Sequence, residues 1–176
     1  MVSRGQAQYD ADGNPVRLFG INLDITARKN SEQELIKLVQ VVEQNPSSIL
    51  VTDADGNIEY VNQAFVELTG YSREEVLGAN PRILQSGKTP PETYRAMWQT
   101  LSEGRVWKGE FSNRGKHGGE YTEFASVIPI RQAGRITHFV AVQEDITEKK
   151  RIGAELDRHR HHLEELVASR TAELAA

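Results

Sequence analysis

His138-Phe139-Val140-Ala141-Val142-Gln143-Glu144-Asp145-Ile146-Thr147 is where a strand hands over to a long polar helix, and the passage occurs twice. Leu18-Phe19-Gly20-Ile21-Asn22-Leu23-Asp24-Ile25-Thr26 aligns with residues 139–147 without a gap, and Gly13 stands to Gly134 at the same spacing. A repeat of that period is one domain long. The expected organisation is therefore the closing strands of one domain over residues 1–27, a linker helix over 28–45, a complete domain over 46–147 and a departing helix over 148–176.

The composition is that of a globular chain with room for one packed domain and helical extensions: 176 residues, 38% apolar and 26% charged. A formal charge of −4 gives no electrostatic reason to bind nucleic acid or anionic lipid, and the basic residues are scattered. With no cysteine there is no disulfide, thiolate metal site or thiol nucleophile, which fits a reducing compartment. No apolar run reaches the roughly 18 residues of a membrane span and no signal peptide is visible, so the segment is expected to be cytoplasmic and to make no membrane contact.

Working outward, residues 9–24 read as a hairpin turning at Asp12-Gly13-Asn14. A helix follows, with Ser31 and Glu34 spaced as a capping box and Leu35, Leu38, Val39 and Val42 on one face, until Asn45-Pro46 stops it. Ile49-Leu50-Val51-Thr52 and residues 57–61 predict two strands around the turn sequence Asp53-Ala54-Asp55-Gly56. Short helices are expected over 63–68 behind Asn62, over 73–77 behind Ser72 and over 91–103, which Gly104 ends. Strands over 107–113, 120–130 and 135–144 complete an α+β unit, a five-stranded antiparallel sheet with small helices on one face.

Three passages carry a family resemblance. Ile58-Glu59-Tyr60-Val61-Asn62-Gln63-Ala64-Phe65, then Leu68-Thr69-Gly70-Tyr71-Ser72-Arg73-Glu74-Glu75-Val76-Leu77-Gly78, then Asp145-Ile146-Thr147 together resemble a PAS sensor domain over about residues 44–148. The first 27 residues then look like the last two strands of a preceding PAS domain. The exit helix places Leu156, Leu163, Val167 and Leu174 near heptad core positions, with Gly153, Arg160 and Arg170 in other core slots, and resembles an imperfect signalling coiled coil. Such helices lead to a histidine kinase, a cyclic-dinucleotide cyclase or another PAS domain, so the resemblance implies a regulatory module, not an enzyme, whose effector lies elsewhere.

Period two along the meander, with the analogy to that fold, turns Gly109, Phe111 and Asn113, then Glu123, Ala125 and Val127, then Phe139, Ala141 and Gln143 inward. Small residues at 109, 125 and 141 beside Phe111 and Phe139, with the amides of Asn113 and Gln143, suit a flat heteroaromatic ligand. Asn80-Pro81-Arg82-Ile83-Leu84-Gln85, Asn113-Arg114-Gly115-Lys116 and Val142-Gln143-Glu144-Asp145 are similar to the segments that hold flavin in light-oxygen-voltage photoreceptors. Pro81 stands where those proteins carry the photoreactive cysteine, and Glu123 where they carry asparagine. The stretch from Asn80 through Thr89, Trp98 and Trp107-Lys108-Gly109 to Arg114 also resembles redox-sensing PAS domains that hold FAD in nitrogen-fixation regulators. The resemblance implies a non-covalent flavin, FAD ahead of FMN, held by Asn80, Arg82, Gln85, Trp107, Phe111, Asn113, Phe139 and Gln143; Arg82, Lys88 and Arg95 read by spacing as solvated surface charges, with a flavin phosphate as their alternative partner.

The plainer reading makes Asn113 and Gln143 amides satisfied by neighbouring backbone or water, in a ligand-free PAS domain that serves dimerisation and relay. Haem is disfavoured because the helix over 91–103 has no histidine. His159, His161 and His162, interleaved with arginine, read as a solvated helix face rather than a metal or phosphotransfer site. The expected partner is a second copy, met through the linker helix, the outward sheet face of Phe124, Ile128, Val140 and Val142, and the coiled coil.

Overall fold

Two helices start on the same device. The Thr26 N–H and hydroxyl both donate to Asp24 Oδ1, at 2.9 and 2.6 Å, and the Thr147 N–H and hydroxyl both donate to Asp145 Oδ1, at 2.9 and 2.5 Å. The side chain supplies the acceptor that the first turn of a helix lacks. The repeat in the sequence is thus a repeat of a strand-to-helix cap. The computed structural model describes residues 2–24 and 26–175, with the side chains at 2, 3, 18, 21–23, 169 and 172–175 outside that description.

The chain divides into two units, Met1–Val42 and Glu43–Ala176. In the first, β1 (Val2–Tyr9) and β2 (Pro15–Leu23) form an antiparallel pair whose turn is closed by the Asp10 carboxylate accepting from the N–H groups of Asp12 and Asn14. Helix α1 (Thr26–Glu43) begins at Thr26 and not at Ser31. The expected capping box at Ser31 and Glu34 is overturned because the Asp24 cap nucleates the helix earlier and leaves Ser31 inside it. Leu35, Leu38 and Val39 are exposed, and α1 buries none of its residues.

The second unit carries a five-stranded antiparallel sheet in the order β4-β3-β7-β6-β5. Its strands are β3 (Ser48–Asp53), β4 (Ile58–Val61), β5 (Trp107–Arg114), β6 (Glu120–Gln132) and β7 (Arg135–Asp145). Helices α2 (Gln63–Thr69), α3 (Arg73–Val76) and α4 (Pro91–Ser102) and a 3-10 turn, Pro81–Leu84, connect β4 to β5. This is the α+β architecture expected, and the strand and helix limits of this unit lie within a residue or two of those read from sequence, with β6 running on to Gln132 before the turn at Ala133 and Gly134.

Asn62 is fully buried and holds this arrangement together. Its Oδ1 accepts from the Phe65 N–H at 3.1 Å, the expected cap of α2, and also from the Ile49 N–H at 2.9 Å, while its Nδ2 donates to the Ser47 carbonyl at 2.9 Å. Leu50, Ile58, Val61, Phe65, Val76, Leu84 and Leu101 form the core beside it. Each such side chain contributes about 1.5–3 kcal/mol on burial. Glu43 joins this unit by accepting from the Tyr60 hydroxyl at 2.7 Å and the Arg73 guanidinium at 2.6 Å.

Phe124, Ile128, Val140 and Val142 lie on the other face of the sheet and remain partly exposed. Helix α5 (Thr147–Ala175) leaves from β7 with Ile152, Leu156, Leu163 and Val167 exposed; the expected core position Leu174 lies outside the described side chains.

Candidate functional site

Helix α4 repeats Tyr94, Met97, Trp98 and Leu101 at one helical period, so it presents one face to the sheet. Between them lies a cavity of about 260 Å³. Leu50 and Thr52 of β3, Phe111 and Asn113 of β5, Glu123 and Val127 of β6, and Phe139, Ala141 and Gln143 of β7 form its sheet wall. The Tyr94 ring stacks on Phe111, with centroids 5.4 Å apart and planes at 16°, and Trp98 meets Phe139 edge-on at 5.6 Å. The lining is aromatic and mostly apolar, as a planar ligand requires.

Seven of the eight expected site residues line this cavity: Asn80, Arg82, Gln85, Phe111, Asn113, Phe139 and Gln143. Trp107 does not. Its indole lies over Gly109, where an added Cβ would sit 2.4 Å from the ring, and against Phe111 at 4.9 Å. The volume that Gly109 was expected to leave for a ligand is therefore filled by Trp107, two residues away on the same face. Asn80 spends its amide on the backbone and on the Arg82 side chain, donating to the Gly56 carbonyl at 3.0 Å and accepting from the Arg82 backbone N–H at 3.1 Å and Nε–H at 3.0 Å. Arg82 is thereby held at an exposed rim. Lys88 pairs with Glu120 and Arg95 is exposed, and neither lines the cavity. His117 lies over Gly70 in a turn, and His138 Nε2 faces the Glu59 carboxylate at 3.2 Å. Neither histidine lines the cavity either.

The polar floor is a chain of three buried side chains. The Ser48 hydroxyl donates to Gln143 Oε1 at 3.0 Å, and Gln143 Nε2 donates to Glu123 Oε1 at 2.7 Å. Glu123 is 1% exposed, and its second oxygen, Oε2, has no partner. Burial pushes its carboxyl up to about 7, the amides of Asn113 and Gln143 pull it back, and the nearby Asp145 pushes the same way as burial. Tyr121, two residues back on the same face, has its hydroxyl buried without a partner; burial, then the Glu123 charge, raise it well above the ordinary phenol range.

This floor adjoins the start of α5. Thr122 donates its N–H to the Thr147 hydroxyl at 2.8 Å and accepts from the Ile146 N–H at 2.8 Å, and Glu123 stands opposite Asp145 in the β6–β7 register. The carboxyl at the bottom of the cavity and the cap of the exit helix thus share one stretch of β6. Sequence reasoning missed Ser48 and Thr122, whose roles depend on which strands are neighbours. Tyr94 was findable from the period of α4.

The chain is similar to known signalling proteins. The chain is 39% identical over 120 residues to the nitrogen fixation regulatory protein of Klebsiella pneumoniae, spanning 68% of this chain and 24% of that protein. It is 35% identical over 136 residues to blue-light-activated histidine kinase 1 of Erythrobacter litoralis, spanning 69% of this chain and 38% of the kinase. An RNA-binding light-oxygen-voltage receptor of solved structure superposes with a TM-score of 0.65 at 26% identity, over 91% of this chain and 44% of the receptor. The chain spans about a quarter to two fifths of the length of these curated relatives. Residues 46–148 match the PAS domain family, and the chain belongs to it as a sensory domain of the kind found in signalling proteins.

Proposed function

We propose that this chain is the sensory segment of a longer signal-transduction protein, that it binds a flavin non-covalently in the α4–sheet cavity, FAD ahead of FMN, and that it passes the redox state of the ring into α5. The observation that carries the reading is the cavity itself: an aromatic-lined pocket whose floor is a buried hydrogen-bonded chain ending beside the cap of the exit helix. A volume of about 260 Å³ suits a ring system and not a whole dinucleotide, given ~300–1,000 Å³ for complete ligand pockets. The ribityl chain and phosphates would leave past Asn80, Arg82 and Gln85 at the rim. When bound, the flavin supplies electron-transfer chemistry; Phe111, Tyr94 and Phe139 would hold its plane, and Asn113 and Gln143 would lie along its polar edge. Pro81 lines the cavity where the similar photoreceptors carry cysteine, so a thiol adduct has no donor.

Residues 1–27 are read as the closing strands of a preceding PAS domain, because their hairpin ends in the same Asp-x-Thr cap. The exposed heptad face of α5, with the apolar stripe of α1 and the outer sheet face, would join two copies in parallel and lead to paired effectors, a histidine kinase or a cyclic-dinucleotide cyclase. The deciding experiment is an absorbance spectrum of freshly purified protein, with chromatography of the released nucleotide. Flavin bands in the blue and near ultraviolet are expected, and they should change on reduction. Colourless protein that takes up no added FAD or FMN overturns the cofactor and leaves a ligand-free relay.

A further inference from the structure

Among the described residues, the buried side-chain atoms without a hydrogen-bond partner are Arg73 Nε, Tyr121 Oη and Glu123 Oε2, and of these three residues only Glu123 lines the cavity. Gln143, the residue sequence reading places at the ligand, already gives its carbonyl to Ser48 and one N–H to Glu123. The buried, unpaired polar atom among the lining side chains is therefore the glutamate's. An orphaned oxygen on a side chain this deeply buried is costly unless something completes it.

With Gln143 Oε1 turned to the Ser48 hydroxyl, the orientation of that amide assigns which oxygen would carry a proton. Gln143 Nε2 can only donate, so Glu123 Oε1 is an acceptor; in a neutral carboxyl the hydroxyl is then Oε2. Resting on the flavin reading above, we propose that Glu123 is the ligand-selecting residue of this cavity, a neutral carboxyl that donates from Oε2 to a ring nitrogen or carbonyl acceptor of a neutral heteroaromatic ligand.

The surroundings favour the neutral form. Tyr121 on β6 and Asp145 on β7 are acidic, Asn113 on β5 and Gln143 on β7 are neutral amides whose pull toward the carboxylate is outweighed by burial, Tyr94 is the titratable group that α4 brings to the cavity, and Arg82 stands at the exposed rim. No cation is buried among the lining residues to hold a carboxylate there. Ionisation would turn Oε2 from donor to acceptor and set it against the ring's own acceptor. A ring edge carrying an N–H would prefer the carboxylate, so the same residue separates two hydrogen-bonding states of one ring.

The test is FAD titration from about pH 6 to about pH 9 on wild type and Glu123→Gln, whose amide keeps an acceptor for Gln143 and a donor toward the cavity at every pH. Wild-type Kd should rise by up to about tenfold per pH unit above about pH 7, and the variant should be flat. A flat wild type, or a variant that follows the wild type, overturns the proposal. Infrared difference spectra of ligand-free wild type across the same range need no variant: a protonated carboxyl band should be lost as pH rises, and its absence at about pH 6 also overturns the proposal. If FAD binds at no pH, the flavin reading falls, while the infrared band still decides whether Glu123 is the neutral donor.

Discussion

Gln143 Nε2 donates to Glu123 Oε1 at 2.7 Å across the β6–β7 pair, while Gln143 Oε1 accepts from Ser48 at 3.0 Å on the neighbouring β3. One amide therefore ties together three strands at the floor of the cavity. Gln143→Leu removes both bonds and strands two buried polar groups, so it should destabilise the protein by about 1–3 kcal/mol per group in denaturant unfolding. In the full-length protein it should retain flavin and lose the dependence of output on redox state. Unchanged regulation in that variant would refute the relay.

Glu123 also makes stability depend on pH. Its carboxyl stands at about 7 in the folded chain against 4.5 for the free side chain, so the folded state holds more protons between those values. Stability from this group is full below pH 4.5 and falls as pH rises toward about 7, by at most about 1.4 kcal/mol per pH unit. Above that the loss is constant. The difference in unfolding free energy between wild type and Glu123→Gln, measured without ligand, should show this slope; Asp53, Glu75 and Glu120, which hydrogen bonds hold below the ordinary range, cancel in the comparison.

Thr147→Val deletes a hydroxyl that accepts from Thr122 and donates to Asp145. It should cost about 1 kcal/mol, the value of a helix cap. Hydrogen exchange should accelerate at the first turn of α5 while the cavity residues keep their protection. Equal loosening of β5 would contradict the local role.

Self-association should depend on the exposed face of α5, where Leu156, Leu163 and Val167 are each more than half exposed. Light scattering should find wild type dimeric at micromolar concentration and Leu163→Glu shifted toward monomer, and Val39→Glu tests the contribution of α1. Monomeric wild type, or two variants that stay fully dimeric, would exclude the parallel arrangement.

Blue light should leave the spectrum of flavin-loaded wild type without an adduct signature, since the chain has no cysteine. Pro81→Cys places a thiol in the cavity wall at the start of the 3-10 turn. Reversible bleaching of that variant under blue light would locate the ring against residue 81, and a thiol-inert flavin would place it elsewhere.

The sequence by itself determined the strand and helix order and the turn glycines of the second unit, because those follow from periods and caps only a few residues long; the inward faces of β5, β6 and β7 and the family came through the resemblance its longer motifs carry. Its reading failed where a local signal met a stronger local competitor, as at Ser31, which the Asp24 cap left inside α1. Tertiary structure alone decided that β3 lies between β4 and β7, which brings Ser48 to Gln143 across 95 residues of chain. It also decided that Trp107 fills the space at Gly109, and that an unpaired buried oxygen belongs to Glu123. Partners of a buried polar group come from strands paired far apart in sequence, and which atom remains unpaired depends on all of them at once, so no stretch of residues read alone carries it.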